Sequence, residues 1–273
     1  MSIAPDQGRT TALLTSQWEA IARLVTDLDE DTWRTPAPLP GWTVFDVVAH
    51  IVGTESMLLG IPTPESESDV TALPHVRNEI GAFNELWLEA LRPLSGAELL
   101  ARYTDVVTRR AAALTAMDDA AWTEPAQSPI GIVPYGRFME VRLFDCWMHE
   151  RDIADALGVA MDEDTDRGAT AFGQLTATLG RSIGKGAQAP DGSRITVELT
   201  GPLGRTLHLA VGGRAEQVAE LDGPATVTLA MPADLFARLR GGRTSASART
   251  DEITITGDTA LGERIVANLG FTI

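Results

Sequence analysis

What most limits the folds open to this chain is a change in hydrophobic period near residues 185–193, KGAQAPDGS. Before it, apolar residues recur at helical spacing, as in Leu13, Leu14, Trp18, Ile21, Val25 and Leu28. After it, RITVELT (194–200) and RTLHLAV (205–211) alternate with period two and are rich in β-branched residues, and GPLG between them reads as a hairpin loop. ATVTLAM and EITITG read as further strands. PADLFARLRGG opens on proline and closes on glycines, as helices do, and LGERIVANL reads as a last amphipathic helix. The expected fold is therefore multi-domain, α and α+β. Residues 1–187 should be a helical domain and residues 188–273 a small α+β domain.

Within the helical part, Pro40-Gly41 marks a turn. Thr43 and Asp46 are spaced as a capping box, with Trp42 and Val47 at staple positions, so a helix should start at Thr43 and carry His50 two turns in. IPTPESESDVTALP (61–74) reads as a loop. Ile80, Phe83, Trp87 and Leu91 lie on the next helix, which Pro93 ends. Ser95 to Glu98 is a second capping box, before a helix carrying Leu99, Tyr103, Val107 and Leu114. Pro125, Pro129 and Pro134 indicate a longer loop. Phe172, Leu175, Leu179 and Ile183 suggest one more helix.

Composition excludes several classes. The net charge is −16, and basic residues form no stripe, so binding to a phosphate backbone is disfavoured. No run of about 18 apolar residues occurs, so no membrane span is expected. MSIAPDQGRT lacks a signal-peptide pattern, and the cytoplasm is the expected compartment. Cys146 is the single cysteine, which rules out an internal disulfide and a thiolate-rich zinc site. Any metal site must draw on Asp, Glu and four histidines: His50, His75, His149 and His208.

The segment FDCWMHERDIADALG (144–158) poses the chemical question. Phe138, Val141, Phe144, Trp147, Met148, Ile153 and Leu157 wrap most of a helix expected over 137–157, which must then be buried. Yet Asp145 and His149, at i and i+4, project together from it. A buried carboxylate is costly unless it is paired or binds a metal. Asp145 could be a satisfied core partner of His149 or of Arg142. Alternatively, Asp145 and His149 could meet His50 from a facing helix, as metal sites in helical bundles are built. Two imidazoles and one carboxylate leave an open position, the catalytic rather than the structural arrangement.

LPGWTVFDVVAHIVGTE (39–55) and RLFDCWMHERDIADALG (142–158) resemble the two signature segments of the mycothiol-dependent maleylpyruvate isomerase family, within the DinB-like metalloenzymes. FARLRGGR and ITGDTALGERIVANLGF are similar to the sterol-carrier-like domain often appended there. The resemblance implies an N-terminal DinB-like four-helix bundle with His50, Asp145 and His149 as metal ligands. It implies zinc first, with nickel or iron as alternatives. The co-substrate would be mycothiol or a similar small thiol, activated by the metal for isomerisation or thiol transfer on a small electrophile. The family often has Glu where this chain has Asp145, one methylene shorter.

Other residues carry plainer expectations. Asp152 could orient His149. Cys146 points about 100° away from Asp145 and reads as core. His75 reads as surface loop, His208 as solvent-facing, and Trp42 and Trp147 as packing residues that could also line a pocket. Arg142 and Arg151 flank the ligands in sequence but are expected to point elsewhere on the helix. Arg243 and Arg264 could contact an anionic substrate. The competing function is a non-catalytic carrier of a small ligand or lipid, with a structural or vacant metal site.

Overall fold

A computed structural model describes residues 4–271 of the chain. In the first part, helices α1 (Gln7–Val25), α2 (Glu30–Trp33), α3 (Val44–Leu58), α4 (Glu79–Leu91), α5 (Gly96–Ala116) and α6 (Asp119–Thr123) lead to a hairpin, β1 (Pro125–Ser128) and β2 (Gly131–Pro134). The long helix α7 (Tyr135–Leu157) follows. Four of these helices, α1, α3, α5 and α7, pack as a bundle in which α1 meets α5 and α7, and α3 meets the same two. Leu14, Trp18, Ile21, Phe45, Val48, Val52, Leu99, Tyr103, Met139 and Leu143 fill its core.

Both expected capping boxes form: Thr43 with Asp46 at the start of α3, and Ser95 with Glu98 at the start of α5. Each satisfies helix N–H groups that would otherwise lack a partner. Helix α7 runs until Gly158, whose left-handed backbone (φ +65°) turns the chain out of the helix. The proline-rich stretch before α7 is more ordered than a loop. It holds α6 and the hairpin, whose strands pair Ala126 with Val133.

The second part contains α8 (Asp166–Ala177), α9 (Leu179–Arg181) and a π-turn (Ser182–Gly186). Strands β3 (Arg194–Thr200), β4 (Arg205–Gly212), β5 (Arg214–Val218) and β6 (Val227–Pro232) precede α10 (Ala233–Arg240), and β7 (Thr254–Gly257) precedes α11 (Thr259–Ala267). The sheet order is β5-β4-β3-β6-β7, with β3 and β6 parallel and the other neighbours antiparallel. Ile195, Val197 and Leu199 stand beside Val227, Leu229 and Met231, so one face is continuously apolar. Strand β5, RAEQV, has no apolar alternation, and this is why period alone did not mark it.

The compact units are Met1–Asp162 and Glu163–Ile273, a division ahead of the boundary expected at 187/188. Helical period reports local conformation and does not say which core a helix joins. Helix α8 joins the sheet's core: its Phe172 ring lies 5.8 Å from that of Phe236 on α10, and Arg205 of β4 sits over the same Phe172 ring.

Candidate metal centre

The site is built on α3 and α7 of the first unit. The Thr43 capping box sets the start of α3 and thereby the direction in which His50 projects. All of α3 from Val44 to Ser56 is buried, His50 included. Helix α7 brings Asp145 and His149 to the same place. His50 Nε2 lies 3.2 Å from Asp145 Oδ2, and His149 Nε2 lies 3.6 Å from Asp145 Oδ1. One ligand atom from each of the three residues can be chosen so that all lie within 4.8 Å of one another. The imidazole ring centroids are 4.9 Å apart. Both histidines are buried, whereas the Asp145 side chain is 35% exposed, so the centre opens to solvent on the carboxylate side.

Asp152 meets His149 on the side away from Asp145. It is fully buried and accepts from His149 Nδ1 at 2.9 Å. The contact orients the ring so that Nε2 faces Asp145.

Desolvation by the surrounding helices disfavours the charged form of the half-buried Asp145, but His149, Arg142 and the hydrogen bond from His50 outweigh it and hold the carboxyl well below its usual range. Burial pushes the His50 imidazole down, with the Asp145 hydrogen bond opposing. Both shifts favour the forms that bind metals, an ionised carboxylate and a neutral imidazole.

Arg142 does not point elsewhere, as its sequence position suggested. Its Nη1 donates to Asp145 Oδ2 at 2.6 Å, and its Nε and Nη2 donate to Glu55 Oε1 at 3.0 and 2.9 Å. Glu55 Oε2 in turn accepts from Arg110 Nε at 2.8 Å. This chain of buried charges joins α5, α3 and α7 directly behind the centre. Glu55 was missed in the sequence, although it gave the same signal as Asp145: a carboxylate inside an apolar helix, AHIVGTESML.

Trp42 stands beside the centre, its ring centroid 5.5 Å from that of His50 and 6.3 Å from that of His149. Its indole N–H donates to Glu85 Oε1 at 2.8 Å, which His75 Nε2 also approaches at 2.8 Å. His75 is thus tied to a buried carboxylate rather than left on a free surface loop, and it is not among the converging ligands. Trp147 is buried, with the Arg151 guanidinium over its ring. Cys146 is buried, and that burial, only partly offset by Arg142, pushes its thiol up to about 12. In the second unit His208 is half-buried, alternating with the buried Leu207 and Leu209, and is paired at 3.2 Å with Oγ1 of Thr196, which lies opposite it on β3. Arg243 donates to the Gly241 carbonyl, and Arg264 to the carbonyls of Ala187 and Ala260.

The donor set fits a divalent ion. Ligands about 2.0 Å from a tetrahedral ion are separated by about 3.3 Å. The two imidazoles approach different oxygens of Asp145, His50 Nε2 at 3.2 Å from Oδ2 and His149 Nε2 at 3.6 Å from Oδ1, each close to that edge. Two neutral nitrogens and one carboxylate suit zinc, and they suit nickel or iron as well.

Comparison with known proteins agrees with this architecture. The chain is 29% identical over 221 residues to uncharacterized proteins from two strains of Mycobacterium tuberculosis, covering 78% of this chain and 81% of each relative. Its fold is similar to the crystal structure of the mycothiol-dependent maleylpyruvate isomerase, with a TM-score of 0.60, 18% identity and 92% of this chain matched to 93% of that one. A histidine-to-alanine mutant of that enzyme matches with a TM-score of 0.58 at 17% identity, over the same shares of the two chains. Residues 14–154, which carry the whole of the centre, match the model of the mycothiol maleylpyruvate isomerase N-terminal domain, and the chain belongs to that family.

Proposed function

We propose that this protein is a metal-dependent enzyme that uses a low-molecular-weight thiol, mycothiol or a close analogue, to isomerise or thiolate a small electrophilic substrate. The observation that carries the reading is the convergence of His50, Asp145 and His149 from two helices, with their ligand atoms within 4.8 Å. His50 and His149 would hold the ion through Nε2, and Asp145 through its carboxylate. Zinc is the expected ion. When bound, it would supply a Lewis acid that lowers the pKa of a thiol at the open position. The chain's own contribution is to hold the donors. Asp152 keeps the His149 proton on Nδ1, and Trp42 walls one side of the imidazole pair. Cys146, buried and protonated, offers no competing thiolate, so the sulfur chemistry must come from a small molecule. A cytoplasmic location, where such thiols stay reduced, completes the proposal.

The test is metal content of the purified protein by mass spectrometry, beside His50→Ala and His149→Ala variants. About one equivalent in the parent, lost in both variants while helical circular dichroism is retained, is the expected result. It would justify a screen of electrophiles with added thiol. Absence of metal after reconstitution with zinc, nickel or iron would sink the reading and favour a ligand carrier.

A further inference from the structure

Each oxygen of Asp145 faces one imidazole: Oδ2 is 3.2 Å from His50 Nε2, and Oδ1 is 3.6 Å from His149 Nε2. The placement of the carboxylate alone therefore does not choose between one and two ligand oxygens. A third contact bears on that choice. Arg142 Nη1 reaches Oδ2 at 2.6 Å, shorter than either approach to an imidazole. Arg142 cannot readily turn away. Its guanidinium is a rigid planar fork, and Glu55 Oε1 holds two of its other donors, at 3.0 and 2.9 Å. Glu55 is fully buried and is itself fixed by Arg110 at 2.8 Å. Three helices thus determine where Nη1 points.

We propose that Arg142 is a positioning residue that occupies Asp145 Oδ2 and leaves Oδ1 as the only carboxylate oxygen offered to the metal. The inference rests on the metal-centre reading above and deepens it. With one oxygen and two nitrogens from the protein, a tetrahedral ion keeps one position for an outside ligand. If Oδ2 were released, both oxygens of Asp145 could bind and fill the position that a small thiol needs. Asp145 is shorter than Glu and brings its carboxylate close to the α7 backbone. Arg142, one turn earlier on the same helix, is spaced to meet it.

The experiment uses the full chain loaded with cobalt(II) alone, read by visible absorption, because cobalt bands are intense in four-coordinate sites and weak in higher coordination. The parent is expected to give the intense four-coordinate spectrum. In Arg142→Met the band intensity should fall several-fold while cobalt stays bound. The double variant Glu55→Gln/Arg142→Met removes one charge of each sign, so the buried cluster keeps its balance if the single variant folds poorly. It should give the same weakened spectrum. Unchanged intensity in the variants, or a weak spectrum already in the parent, overturns the proposal and leaves the metal centre standing. Loss of cobalt from both variants with helicity retained overturns it too, since a residue that selects between one and two oxygens does not decide whether the ion binds. If the parent takes up no cobalt, the metal-centre reading itself fails.

Discussion

Single side chains in this protein behave differently from what their types suggest, and the difference is set by what surrounds them. Cys146 is adjacent in sequence to a candidate ligand, yet its thiol is buried in the bundle and pushed up to about 12. A thiol-specific disulfide reagent should therefore find no reactive thiol in the native protein and one equivalent after unfolding. Rapid labelling of the native chain would show that the thiol is accessible and would return it to the list of nucleophiles. Asp152 is the opposite case, a side chain remote from any ion yet expected to govern one. It meets His149 Nδ1 at 2.9 Å from a fully buried position. Asp152→Asn keeps the shape and weakens the acceptor, so zinc affinity should fall by about 10- to 100-fold in a chelator competition. An unchanged affinity would mean that His149 is oriented by packing alone.

At the scale of the element, α3 and α7 were legible because their signals are local. A capping box lies within four residues, and an apolar helix interrupted by a carboxylate is visible in one segment. The distances between helices were not legible. Glu55 meets Arg110 across 55 residues and Arg142 across 87, and no spacing rule links side chains on three separate helices. The same limit hid the Trp42–Glu85–His75 cluster, whose members come from a loop, a helix and a second loop. Strand β5 was missed for a different reason: it is an edge strand with mostly exposed side chains, so burial leaves no pattern in it. Close helix approach is another property that composition only hints at. A Cβ on Gly53 of α3 would fall 2.5 Å from Trp87 of α4, and Trp87 is itself buried. Gly53→Ala should therefore destabilise the protein by about 1–3 kcal/mol, as overpacked cores do. Chemical denaturation would measure it, and a neutral or stabilising result would mean that Trp87 can move aside.

For the whole molecule the dominant fact is charge, 38 acidic against 22 basic residues. Where the opposing effects sit decides which one salt will reveal. The pairs of Glu55 with Arg110 and Arg142 are buried and therefore little screened. Exposed pairs such as Arg34–Glu30, Arg109–Asp105 and Arg214–Glu216 are screened, but each is worth only about 0–1 kcal/mol. What remains for salt to act on is the mutual repulsion of an excess of surface carboxylates, which destabilises a compact state. Raising sodium chloride from about 10 mM to about 150 mM shortens the screening length from about 30 Å to about 8 Å. The melting temperature should rise over that range, and the native chain should pass through a polyanion column without retention. A melting temperature that falls with salt would mean that surface ion pairs outweigh the net charge, and retention on the column would expose a basic patch that the even scatter of arginines does not suggest.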